Sequence, residues 1–388
     1  MNAPVFEPPA GWSQSLYTGA PGAALLRLEQ ARTGRAAWSI AHSWTRALTA
    51  DQVVGDLSAS LEFGAPAVAF VLQAAGNPAY ASALTLLDRH ITEVTRQRLD
   101  VAHDRIDRGA LPERAEFDLI RGLTGIGVYL LRRYGGGAEL RDVLTYLVRL
   151  TEPVSVDGDL LPGWWATDSP NHGQPAPPGG HGNLGIAHGI TGPLALLALA
   201  ARRSVVVTDH EAAIVRILAF LDQWQQDNGS HAWWPGLLAR ADLTTGRLRH
   251  HEAARPSWCY GTPGIARAQQ LAGLALDDHS RTRSAETALE GCVTDPAQLA
   301  RISDATLCHG WAGLLQTTWR AALDAGGSPL HEHVAALQNR LDGHLAAHGC
   351  PEGAALLEGA TGVELAVLTT AATVPPETCW DACLLLDG

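Results

Sequence analysis

At 388 residues, 46% hydrophobic and 18% charged, the chain has the composition of a globular protein, which excludes disorder and collagen-like repeats. A net charge of −12, from 40 acidic and 28 basic residues, argues against a nucleic-acid partner, which needs a clustered positive face. Every basic residue is arginine, so Schiff-base and P-loop lysine chemistry are excluded as well.

In chain order, the first residues hold no basic segment followed by an apolar run, so no secretory signal is read. A seven-fold repeat then runs from end to end. Its signature is a glycine, two residues, a second small residue and an apolar run. The copies are Gly19-Ala-Pro-Gly22, Gly64-Ala-Pro-Ala67, Gly122-Leu-Thr-Gly125, Gly189-Ile-Thr-Gly192, Gly261-Thr-Pro-Gly264, Gly310-Trp-Ala-Gly313 and Gly359-Ala-Thr-Gly362, at intervals of 45 to 72 residues. Behind each lies a segment poor in charge, such as VAFVLQAA, PLALLALAARR or VELAVLTTA, predicting a helix buried on most of its surface. Between copies run amphipathic segments such as ELRDVLTYLVRLTE and HEAAIVRILAFLDQWQ, predicting outer helices.

A buried helix paired with an amphipathic one, seven times over, predicts an all-α fold: an α/α toroid of seven inner and seven outer helices. The alternative, an open solenoid, usually has copies more alike in length and sequence. The Pro/Gly-rich stretch 153–182 has repeats on both sides, so it reads as a long surface loop within a single domain, 1–388. The longest apolar stretch, 192–201, is far short of the roughly 20 residues of a spanning helix. A cytoplasmic protein without membrane insertion is therefore expected.

In a closed ring, the residues just ahead of each first glycine converge at one end of the barrel. Copies three to six place there Asp118, His188, Arg255 with Cys259-Tyr260, and Cys308-His309. Two cysteines and a histidine from adjacent copies fit a zinc site, since zinc takes thiolate and imidazole ligands and a catalytic site leaves its fourth position open. Cys259 and Cys308 are 49 residues apart, so their matching register carries the argument. The other cysteines, Cys292, Cys350, Cys379 and Cys383, read as small core residues, with Cys379 and Cys383 a weaker second metal pair. His188 is either a general acid or base or a core histidine. Asp118 either orients His188 or caps a helix. Arg255 either stabilises developing negative charge or forms a surface ion pair. Tyr260 either donates a hydrogen bond or packs.

His188-Gly-Ile-Thr-Gly192, Trp258-Cys-Tyr-Gly-Thr-Pro-Gly264 and Cys308-His-Gly-Trp-Ala-Gly313, in that order on a seven-copy ring, closely resemble the lanthionine synthetase C-like family of lanthipeptide cyclases. The resemblance covers nearly the whole chain. It implies an α/α toroid, a catalytic zinc held by Cys259, Cys308 and His309, and thioether-ring formation on a dehydrated precursor peptide by addition of cysteine thiolates to dehydroalanine or dehydrobutyrine. It also implies roles in that reaction for His188, Asp118, Arg255 and Tyr260, and a separate dehydratase acting beforehand. Two other readings fit the same residues. One is zinc-dependent addition of glutathione or another free thiol to dehydroamino acids in proteins. The other is a non-enzymatic peptide-binding scaffold with structural zinc. Toroidal glycosidases or terpene cyclases need paired carboxylates or aspartate-rich motifs, which the matching positions do not offer.

Overall fold

The structure is a computed structural model and describes residues 13–387 apart from 172, 228–230, 250–251, 327 and 373. Inner helix α1 (Ala20–Arg32) is followed by outer α2 (Trp38–Ala47), and inner α3 (Ala65–Ala74) by outer α4 (Ala81–Asp107). After a single helical turn, α5 (Arg114–Phe117), inner α6 (Leu123–Tyr134) pairs with outer α7 (Ala138–Leu150) and inner α8 (Thr191–Arg202) with outer α9 (His210–Trp224). Short α10 (Arg240–Thr245) precedes inner α11 (Thr262–Ala275), its outer partner α12 (His279–Thr294) and short α13 (Pro296–Leu299). Inner α14 (Trp311–Asp324), outer α15 (Leu330–His348) and inner α16 (Ala360–Ala372) complete the series.

Each inner helix packs on the next, and α16 packs on α1, so the inner layer closes on itself. Burial follows the two sequence patterns. Every residue from Thr262 to Gly273 of α11 is buried, whereas the 19-residue α15 buries only Leu330, Leu337 and Leu341. An inner helix covered on all sides carries few charges, and those it has are paired, as Arg267 of α11 is with Asp324, whereas an outer helix needs only an apolar stripe.

The repeat turn explains why the ring closes. The residue two before each first glycine is Tyr17, Glu62, Ile120, Ala187, Cys259, Cys308 or Leu357. A belt of backbone hydrogen bonds links these positions around the whole ring. The Glu62 amide donates to the Ile120 carbonyl, Ala187 to Cys259, Cys259 to Cys308, Cys308 to Leu357 and Leu357 to Tyr17, at 2.9 to 3.4 Å. The two remaining links use the preceding amide, Leu16 to Glu62 (2.6 Å) and Leu119 to Ala187 (3.2 Å). The residues one step earlier, Leu16, Leu61, Leu119, Ile186, Trp258, Leu307 and Leu356, are all wholly buried. Removing one such side chain from water is worth about 1.5–3 kcal/mol, so each copy of the turn is anchored beneath the belt. The second glycine of the signature lets the helix start against that turn. A Cβ on Gly264 would overlap the Trp258 carbonyl oxygen, and one on Gly313 that of Leu307.

Two features depart from the sequence reading. Among the described residues six outer helices are present, and no outer helix follows α16. After Pro375-Pro376 the chain instead forms a 3-10 turn, Trp380–Leu384, with Trp380, Cys383, Leu384, Leu385 and Leu386 at most 1% exposed. This segment is bound to several inner helices and their turns. The Tyr17 hydroxyl donates to the Cys383 carbonyl, Trp258 Nε1 to Leu384, Arg132 to Thr378 and Cys379, and Arg267 to Leu386. A run so apolar, released from helix by two prolines, is buried inside the ring more favourably than on it.

Second, the stretch 153–182 is only partly a surface loop. It opens with a hairpin of β1 (Val154–Val156) and β2 (Asp159–Leu161), and then buries Trp164, Trp165 and Ala166. It ends in β3 (His181–Asn183). A second ribbon, β4 (Gln226–Asp227) with β5 (Ala232–Trp233), leads to β6 (Leu237–Ala239), which pairs antiparallel with β3. Two indole rings give this proline-rich segment enough apolar area to dock, which its glycines and prolines obscured in the sequence.

Candidate active site and metal centre

The belt sets Cys259 and Cys308 on adjacent rungs, directly bonded through the Cys259 amide and the Cys308 carbonyl at 3.3 Å. The potential ligand atoms of Cys259, Cys308 and His309 all lie within 4.8 Å of one another, the one such grouping of His, Cys or carboxylate side chains among the described residues. The set fits zinc. Two sulfurs and a ring nitrogen are the donors zinc prefers, and bonds of about 2.0–2.3 Å in tetrahedral geometry put ligand atoms roughly 3.3–3.8 Å apart.

The three groups also perturb one another as a metal-ready set would. The hydrogen bond from the Cys308 thiol holds Cys259 well below the usual thiol range against the effect of burial, with His309 and Ser257 acting in the same direction. Cys259 in turn pushes Cys308 up through that bond, aided by burial. It raises His309 too, although burial and Arg255 oppose that shift.

Next along the belt stands His188, whose ring centroid is 6.2 Å from that of Tyr260. Its Nδ1 lies 2.6 Å from Oδ2 of Asp118. Asp118 is buried, and its other oxygen, Oδ1, accepts from the amides of Arg121 (2.6 Å) and Gly122 (2.9 Å) ahead of α6. The two sequence readings of Asp118, cap and orienter, are thus both met, one by each oxygen. Tyr260 accepts at its hydroxyl from Asn183 Nδ2 at 3.4 Å, and its amide donates to Ser257 Oγ at 3.3 Å. Burial raises the Tyr260 phenol, opposed by Asn183 and by Arg114. Arg255 faces Asp304 at 3.8 Å and is about one-third exposed.

The seven residues read from sequence therefore come together at one end of the ring. Three contributors were not read. Asp304 lies 3.5 Å from His309 Nε2 through the same Oδ2 that faces Arg255. Burial would raise its carboxyl, yet the bonds from Thr306 and the charges of His309 and Arg255 hold it below the usual range. Arg114 binds Asp168 through both its backbone amide (3.0 Å) and Nε (2.9 Å), and further binds the carbonyls of Ser169 and Pro170, fastening the 162–183 segment beside Tyr260. Asn183 sits six residues before the first glycine of its copy, as Asp304 does in its own. That shared offset was the signal available to find both.

The remaining cysteines divide unevenly. Cys292 and Cys383 are wholly buried, and burial pushes both thiols far up. Cys379 is half-buried, and among the described residues it belongs with Cys383 to no group of three or more potential ligands. Cys350, read as a core residue, is exposed, because it follows the Gly349 turn that ends α15 and has no layer above it. No helix among the described residues is long and apolar enough to cross a membrane.

Comparison with known proteins agrees with this arrangement. The chain matches the family described as lanthionine synthetase C-like protein over residues 11–385. It is 25% identical over 268 residues to the nisin biosynthesis protein NisC of Lactococcus lactis subsp. lactis, an alignment spanning 68% of this chain and about 62% of the length of that relative. It is similar in structure to nisin cyclase, with a TM-score of 0.80 at 23% identity, covering 96% of this chain and 92% of the other. With a match over nearly its entire length, on a ring that brings its Cys259 and Cys308-His309 together, the chain belongs to the lanthionine synthetase C-like family.

Proposed function

We propose that this protein is a zinc-dependent lanthipeptide cyclase, acting as one ring-shaped domain over 1–388 in the cytoplasm. Its substrate is a precursor peptide whose serines and threonines a separate dehydratase has already converted to dehydroalanine and dehydrobutyrine. The reaction adds cysteine thiols of that peptide to those alkenes within the same chain, giving lanthionine and methyllanthionine rings. The carrying observation is the juxtaposition of Cys259, Cys308 and His309 with the His188–Asp118 pair at one end of the ring.

Cys259, Cys308 and His309 would hold the metal. Zinc, when bound, supplies a Lewis acid that favours thiolate at neutral pH, where a free thiol of pKa about 8.5 is mostly protonated. Asp118 keeps His188 Nδ1 engaged, which leaves Nε2 as the nitrogen that exchanges protons with substrate. Nε2 takes the proton of the substrate thiol, and sulfur then bonds to the alkene β-carbon as the π electrons move toward the carbonyl to form an enolate. Arg255, cationic and partly exposed, stabilises the enolate oxygen. The proton on Nε2 is then delivered to the α-carbon, so S–H has been added across C=C with nothing left over. Tyr260, packed against His188, donates its hydroxyl proton toward the same oxygen.

The test is metal analysis of the purified protein together with incubation with a dehydrated precursor peptide, followed by thiol alkylation and mass spectrometry. One zinc per chain and a loss of alkylatable thiols at unchanged peptide mass are expected. Cys259→Ala and Cys308→Ala should abolish both. Unchanged free thiols would sink the cyclase reading, and a gain in mass equal to an added thiol would mark intermolecular addition instead.

A further inference from the structure

We propose that Asp304 is a positioning residue that orients the His309 imidazole as a metal ligand and fixes the Arg255 guanidinium beside it, which rests on reading Cys259, Cys308 and His309 as the zinc ligands. The observations concern how both carboxylate oxygens are used. Oδ1 accepts from the Thr306 amide (2.8 Å) and the Thr306 hydroxyl (2.6 Å), and the Asp304 carbonyl accepts from the Trp311 amide (3.1 Å) at the start of α14. The side chain is therefore fixed to the turn that carries Cys308 and His309. Oδ2 then lies 3.5 Å from His309 Nε2 and 3.8 Å from Arg255.

The repeat explains why these groups meet. Arg255 and Asp304 each stand six residues before the first glycine of their copies, and the copies are neighbours on the belt. Ser13 and Asn183 occupy the same offset, and each accepts from the amide two residues on, as Asp304 does, at 3.1 and 3.0 Å. In copy six that turn-capping residue is a carboxylate, whose second oxygen has no turn amide to serve. It is placed instead against a ligand and a cation. A carboxylate facing one nitrogen of a ligating imidazole orients the ring toward the metal, and losing such a partner commonly weakens metal binding by about 10–100-fold.

Asp304→Asn separates this role from turn capping. Its amide oxygen can still accept from Thr306, while an NH2 group replaces the oxygen facing His309 and Arg255. Zinc affinity, measured by competition with a chromophoric chelator, should fall by about 10–100-fold in Asp304→Asn, with the Tm of the metal-free protein unchanged. Thr306→Val, which removes one of the two bonds fixing the carboxylate, should weaken zinc in the same direction by a smaller factor. Zinc affinity within twofold of wild type in both variants would overturn the proposal while leaving the metal reading intact. A wild-type protein that takes up no zinc would overturn the metal reading and this role with it.

Discussion

At the scale of single residues, Asp118 does two things with two oxygens, and they can be separated. One oxygen caps the start of α6 through the Arg121 and Gly122 amides, and the other holds His188. Asp118→Asn should keep a cap and lose the orienting carboxylate, so that stability changes little while kcat falls by roughly 10²-fold or more, the usual worth of positioned acid–base catalysis, at unchanged KM for the dehydrated peptide. Asp118→Ala should additionally lose about 0.5–2 kcal/mol of stability. Equal kcat in wild type and Asp118→Asn, measured by thiol disappearance, would assign Asp118 to capping alone. The offset from the repeat glycine made Asp118, His188, Cys259, Tyr260, Cys308 and His309 legible in sequence, because that offset is what the ring converts into proximity. Asp304 shared a legible offset with Arg255 but resembles an ordinary turn aspartate until its second oxygen is seen. Arg114 carried no signal, since it reaches Tyr260 through a tertiary contact between α5 and a proline-rich segment.

At the scale of elements, the glycine pairs carry the packing argument. Gly264 sits where any Cβ would collide with the Trp258 carbonyl oxygen and crowd Ile186, and the turn it supports also carries Cys259. Gly264→Ala should cost about 1–3 kcal/mol by overpacking and weaken zinc at the same time, whereas Gly343→Ala, in open space within outer helix α15, should stabilise by about 0.5–1 kcal/mol. Urea unfolding of the two variants decides this: similar shifts would mean that the second glycine does not set the turn. The paired helices were readable because burial on all sides and burial on one stripe leave different charge patterns. The fate of residues 374–387 was not readable, because a short apolar run after two prolines suits a poorly formed outer helix as well as an inserted strand of chain.

For the molecule as a whole, that inserted segment ties distant copies together. Asp381 is wholly buried and pairs with Arg320 of α14 through bonds of 2.5 and 2.6 Å, and it also accepts from Gln316 at 2.7 Å. Asp387 lies within 3.3 to 3.8 Å of Arg132, Arg203 and Arg320, which come from α6, the end of α8 and α14. Removing one partner of a buried pair leaves the other charge uncompensated, at a cost of about 3–5 kcal/mol. Asp381→Ala should therefore lower stability by that order in chemical denaturation, although it lies apart from the residues assigned to the metal. A change below about 1 kcal/mol would mean that the segment is a passive filler.

The belt of backbone bonds has a further meaning for how a substrate is handled. In a hoop joined through peptide groups, displacing any one copy means breaking backbone bonds to the copies on both sides, which ties the Cys259 and Cys308 rungs to their neighbours. If the chain closes thioether rings as proposed, the search for each closure falls to the peptide, whose cysteine and alkene must reach the fixed point those rungs mark. On the proposed cyclase function, the pattern of rings would then be written in the spacing of the substrate's own residues, each pair brought in turn to the same fixed point.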